Sequence, residues 1–223
     1  MDSVLAALDG EHGMGGGVLG YLNTREAVPF RTANRGAKAA VCRFAWGDTK
    51  TRIAGSMASW RACFPKATKA NLSRRSNLRH HEFPNLRGVT YLNLSHCECY
   101  SICNETFAYL SEVRILNFAN SWQDPTVWAV FRDSFNDHLF KYLVNLETLN
   151  LDGFMFNKFT GAFAAHLPRL RHLSVRHWAE GPTRVDRFMA DLRREHKVLL
   201  FIQNCPWVYD HWACIPPNAI LSS

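Results

Sequence analysis

One spacing recurs through the second half of the sequence and limits the fold more than any other feature: an apolar residue, another three on, a third three further and a fourth two beyond. It runs through Leu86, Val89, Leu92 and Leu94, through Leu110, Val113, Leu116 and Phe118, through Leu143, Leu146, Leu149 and Leu151, and through Leu167, Leu170, Leu173 and Val175. Weaker copies flank these, with Phe64, Ala67, Ala70 and Leu72 in front and Leu200 and Ile202 behind. The third apolar positions, Ala70, Leu92, Leu116, Leu149, Leu173 and Leu200, lie 22, 24, 33, 24 and 27 residues apart. Apolar residues two apart occupy one side of a short strand. One such unit cannot close a core, whereas stacked copies bury a continuous one. The pattern therefore predicts an α/β fold of about six parallel strands. Helical pieces at 107 to 110, 137 to 143, 163 to 167 and 185 to 192 are expected to form the opposite, convex side.

Residues between the inward leucines point the other way and are expected to line a concave face. Of these, Tyr91, Asp152, His172, Arg176 and Phe201 suit partner contacts, because aromatic and arginine anchors tend to dominate binding energy. Asn71, Asn93, Asn117 and Asn150 recur at one register. Either a side-chain hydrogen-bond ladder or a binding stripe through Asn93, Asn117 and Asn150 accounts for them, the ladder being favoured. The long 33-residue unit carries Trp122 and Trp128 in an insertion too apolar to stay solvated, so one indole is expected at the surface edge as a partner anchor.

The unit from Val89 to Cys97, Val-Thr-Tyr-Leu-Asn-Leu-Ser-His-Cys, resembles the leucine-rich repeats of the cysteine-containing, F-box-associated kind, and the run ending at Cys205 resembles the close of such a unit. Ser121, Phe154 and Trp178 stand where that family has Cys or Asn. The resemblance covers residues 64–206 and implies a short, irregular leucine-rich-repeat solenoid. Ahead of it, residues 18–63 read as short helices. Val18, Leu19 and Leu22 share one face, Thr24 is a candidate cap, Asn34, Arg35 and Gly36 form a break, and Ala37, Ala40, Val41, Phe44 and Ala45 follow at helical spacing. This segment is similar to an F-box in the order of Leu22, Arg25, Glu26, Ala27, Val28 and Phe30. It departs from the family in lacking the opening Leu-Pro and in placing Pro29 inside the middle helix. A plain helical cap on the first repeat explains the segment equally well. If the F-box likeness holds, Leu22, Val28 and Phe30 are the residues that would bind a Skp-family linker subunit, and the chain would be a substrate receptor of an SCF-type ubiquitin ligase. Residues 1–17, with their glycines, read as a flexible N-terminus, and 207–223 as an aromatic C-terminal tail.

Chemistry-bearing clusters are few. His96, Cys97, Cys99 and Cys103 lie close together, but their spacing fits no usual zinc pattern, so buried apolar cysteines are the favoured reading and no metal or cofactor is expected. No catalytic constellation stands out, and no enzyme activity is expected. The net charge of +7 suits an acidic partner surface or a nucleic acid. Its sharpest concentrations are Arg74, Arg75, Arg79, His80 and His81, then Arg184, Arg187, Arg193, Arg194 and Lys197, for which solvated surface charge is favoured over a phosphate-binding stripe. The acidic start and the odd count of seven cysteines point to a cytoplasmic or nuclear protein. No apolar run reaches the ~20 residues needed to cross a bilayer. The expected function is protein binding, as a ubiquitin-ligase receptor or as a stand-alone scaffold, with nucleic-acid binding a weaker alternative.

Overall fold

The computed structural model of the protein describes residues 19–98, 101–119, 136–153, 159–175 and 190, together with the backbone of strands at 199–202 and 220–221. The insertion with Trp122 and Trp128, Cys99, Arg176, the second basic cluster, the segment 1–17 and the aromatic stretch that opens the tail lie outside the described residues.

Seven strands form one parallel sheet in chain order. They are β1 (Lys69–Asn71), β2 (Tyr91–Asn93), β3 (Ile115–Asn117), β4 (Thr148–Asn150), β5 (His172–Ser174), β6 (Leu199–Ile202) and β7 (Ile220–Leu221). The apolar marks of the sequence pair directly, Ala70 with Leu92, then Leu116, Leu149, Leu173 and Leu200. The periodicity thus sets the register. β7 falls within the span expected to be a tail, and brings the strand number to seven where about six are expected.

The strands are only a few residues long, so each is bounded by a repeated set of backbone bonds. On entry, one carbonyl accepts two amides of the next unit. Thr68 O takes Thr90 and Tyr91, Thr90 O takes Arg114 and Ile115, Arg114 O takes Glu147 and Thr148, and Glu147 O takes Arg171 and His172. On exit, Leu72, Leu94, Phe118 and Leu151 each donate to the residue that ends the following strand.

Three of the expected helical pieces are 3-10 turns, at Asn104–Leu110, Asp137–Tyr142 and Gly161–His166. A further such turn, at His80–Leu86, is not among those expected, and the piece expected at 185 to 192 lies outside the described residues but for residue 190. At six or seven residues they are too short to gain much from α-helical cooperativity. They stack on one another through polar rungs. His80 Nδ1 meets Thr106 Oγ1 at 2.9 Å, Asn104 Nδ2 donates to Asn136 Oδ1 at 2.9 Å, and Thr160 N donates to Asp137 Oδ1 at 3.0 Å. Phe83, Phe107, Phe140 and Phe163 from these turns are fully buried with Leu92, Leu116, Leu149 and Leu173 of the strands in one core cluster. Phe140 stacks on Phe163 at 4.4 Å, so the core is continuous from unit to unit.

Among the described residues, residues 19–21 are helical and three complete helices follow before the sheet: α1 (Thr24–Ala33), α2 (Arg35–Arg43) and α3 (Met57–Cys63). The cap of α1 is Asn23 and not Thr24. Its side chain accepts from Glu26 N at 3.0 Å while Glu26 Oε2 accepts from Asn23 N at 2.9 Å, a reciprocal capping box. Pro29 sits in the interior of α1, where it removes the bond to the Arg25 carbonyl, and the helix nevertheless runs to Ala33. Asn34 alone breaks the chain between α1 and α2. Its side chain caps α2 by accepting from Ala37 N at 2.8 Å, while Arg35 and Gly36 are already helical.

These helices share the core of the sheet, and the segment after α2 lies along the free edge of β1. Trp46 is buried, donates from Nε1 to Val41 O at 2.8 Å and meets Phe64 edge-on at 5.3 Å. Thr68 N donates to Trp46 O at 2.9 Å, Ile53 N donates to Asn71 O at 2.8 Å, and Asn71 Nδ2 donates to Thr49 O at 2.8 Å. Backbone groups that an edge strand would leave open are thereby occupied. Arg61 of α3 fastens the helices to the first unit, donating to the carbonyls of Asn85, Pro65, Ala67 and Arg87.

Candidate functional site

In β2 to β5 the central residue is buried and its neighbours are more open, and β1 differs only in that Asn71 is also buried, so that two rows of side chains come to the face of the sheet opposite the leucines. The first row is Lys69, Tyr91, Ile115, Thr148 and His172, aligned one per strand by the pairing. Strands spaced at ~4.8 Å make this row about 20 Å long. Tyr91 and Thr148 are half-buried, Lys69 and His172 are exposed, and Ile115 is a large aliphatic side chain left 40% exposed at the centre.

The second row is Asn71, Asn93, Asn117, Asn150 and Ser174, and it behaves differently from the ladder expected. Each Asn side chain turns back on its own strand end. Oδ1 accepts from the backbone N of Ser73, Ser95, Ala119 and Asp152 respectively, at 3.0, 2.9, 3.1 and 2.8 Å. No amide-to-amide bond joins neighbouring strands among the described residues. The asparagines therefore build an Asx turn in each of four units, a local reward that competes with further strand pairing and stops the strand there. Three residues beyond the strand's last Asn the backbone is left-handed, at Arg74 (φ 56°), His96 (φ 57°) and Gly153 (φ 73°). The last of these shows what such a position favours.

Asp152 is buried and accepts from Ser174 Oγ at 2.6 Å, linking β4 to β5. Of the face residues singled out in the sequence, Tyr91 and His172 thus remain in the open row, while Asn93, Asn117, Asn150 and Asp152 hold the turns. The Phe201 backbone pairs in β6 beside Ser174. Ile115 had a place on the face in the sequence pattern but no special weight there, because nothing local marks which of the outward residues stays uncovered.

Two cysteines of the soft-ligand cluster have partners within the protein. Cys97 is buried, its Sγ donates to Leu72 O at 2.9 Å, and burial pushes its thiol up to about 11 despite the nearby arginines. Cys103 Sγ lies 3.7 Å from Thr106 Oγ1, at the start of a 3-10 turn.

A cleft lies beside the Asn71 turn. Arg52, Arg74, Arg75, Arg79, His81 and Glu82 line most of it, and its volume is about 410 Å³. The sequence cluster supplied all of these but Arg52 and Glu82. His80 turns away to Thr106.

At the start of the chain, Leu22 and Phe30 are half-buried against the core, whereas Val28 is 44% and Tyr21 90% exposed. No helix among the described residues is long and apolar enough to cross a membrane. Comparison with protein-family models and with curated proteins finds no match.

Proposed function

We propose that the protein is a binding module of the leucine-rich-repeat kind, a short solenoid that holds a protein partner against the open row of its sheet. The observation that carries this reading is Ile115, an exposed aliphatic side chain centred in a row with Tyr91 and His172. A row of this kind offers an apolar centre with polar flanks, the usual anatomy of an interface. The units that build it vary at the row and repeat behind it, so that the leucines and asparagines serve the fold and the row is free to differ. Partner capture by wild type, Ile115→Asp and Lys66→Asp chains tests the reading. The row variant should lose its partners and the exposed off-row control should keep them, with both melting as the wild type does. Equal capture by all three would remove the row from the interface.

A second reading has one observation in its favour. Tyr21 and Val28 are exposed apolar residues in the segment similar to an F-box, which suits a Skp-family linker subunit and the substrate-receptor role. Direct binding of a purified linker subunit, lost in Val28→Asp, is the result that this reading requires. Without it, the helices serve as a cap that closes the first unit.

A further inference from the structure

The lining of the cleft beside β1 is unbalanced in charge, and its construction explains why it stays open. Arg75 is fixed as a strut: Nη1 donates to Gly55 O at 3.0 Å, and Nη2 pairs with Glu82 Oε1 at 2.5 Å. The other Glu82 oxygen accepts from Arg79 N at 3.2 Å, so the one carboxylate in the lining is already satisfied. Arg52, Arg74 and Arg79 line the same hollow, and among the described residues no carboxylate pairs with any of them. They come from three separate places in the chain: the segment that covers the β1 edge, the turn after β1, and the residue that starts the first 3-10 turn.

Arg74 occupies the left-handed turn position that later units give to His96 and Gly153, so the turn accepts a side chain there and the first unit fills it with a cation that lines the cleft. Converging forked guanidiniums suit a tetrahedral oxyanion, whose oxygens accept charge-assisted bonds from several directions at once.

We propose that this cleft binds a terminal phosphoryl group, held by Arg52, Arg74 and Arg79 over the Arg75–Glu82 floor. The site stands apart from the open row of the sheet, so it does not depend on the binding-module reading. A free polyphosphate and a phosphorylated side chain of a protein share this chemistry.

Titration calorimetry with the full chain is the test, using inorganic tripolyphosphate in one arm and a phosphoserine peptide with its unphosphorylated twin in the other. Saturable binding at one site is expected in at least one arm, weakened about tenfold by Arg52→Gln and again by Arg79→Gln, because each removes a charge-assisted contact. Arg52 is exposed, so its variant is expected to fold, with circular dichroism as the check. Arg169→Gln, at an exposed site in a later unit, should bind as the wild type does. Tighter binding of tripolyphosphate assigns the site to a free ligand, and tighter binding of the phosphopeptide assigns it to a protein partner. No saturable binding below roughly 10 mM in either arm overturns the proposal, as does equal weakening by Arg169→Gln, which would mean diffuse charge attraction.

Discussion

Three consecutive residues of β4 should respond to alanine in an uneven order that depends on the register. Leu149 is 0% exposed and pairs with Leu116 and Leu173, which are equally buried. Truncation removes three carbons, worth roughly 2.4 kcal/mol at ~0.8 kcal/mol each. The neighbouring leucines are held by backbone ladders on both sides and cannot close the gap, so a cavity term brings Leu149→Ala to about 3–5 kcal/mol. Asn150→Ala loses one neutral hydrogen bond to Asp152 N at a half-buried site and should cost about 0.5–1.5 kcal/mol. Thr148→Ala, on the open row, should cost under ~0.5 kcal/mol. Urea unfolding followed by far-UV circular dichroism gives all three from midpoints at constant slope. If Thr148→Ala proves as damaging as Leu149→Ala, the pairing is off by one residue, and every assignment to the open row falls with it.

Two further results are expected. Burial works to raise the Asp48 carboxyl, but hydrogen bonds from Thr24 and Thr51 together outweigh it and hold the pKa at about 2, below the ordinary 3.8. The sign follows: this contribution is complete above pH 3.8 and is lost as pH falls through about 2. Full linkage would make it roughly 2 kcal/mol, and solvent access to the carboxylate reduces that to about 1 kcal/mol. The stability gap between wild type and Asp48→Asn should therefore narrow from pH 4 to pH 2 in urea titrations, and a constant gap would contradict the assignment. Pro29→Ala restores a backbone donor inside α1 at an exposed position and should stabilise the chain by up to about 3 kcal/mol. A thermal melt that moves down instead would show that the proline is serving another purpose.

The sheet was legible in the sequence because its signal is periodic. Leu92, Leu116, Leu149 and Leu173 repeat the same neighbours at the same offsets, and a parallel register follows from aligning them. The asparagines were equally visible, but their use was not. A ladder and an Asx turn demand the same residue at the same place, and only the geometry of Oδ1 toward the amide two residues on separates them. Helix α3 lies inside the segment 18–63 expected to be helical, but its bounds are not legible there, because it offers only Met57 and Trp60 as buried residues and a weak cap, in which Ser56 Oγ accepts from Ser59 N at 3.3 Å. Asp48 and Arg52 carried no local signal at all. Each matters through partners about twenty residues away in sequence, Thr24 for the one and the turn after β1 for the other, and composition within a window cannot register such a meeting. The short helical pieces at 107 to 110, 137 to 143 and 163 to 167 are legible as helical, but their 3-10 form is not, because an apolar spacing of three suits both kinds of turn.

The order of strands in space is their order in the chain, and the segment that covers the first edge comes before all of them. A strand leaving the ribosome therefore always finds its partner already made, and never has to wait for one still to be synthesised. Synthesis and assembly run in the same direction, so the growing sheet exposes a single unfinished edge at a time.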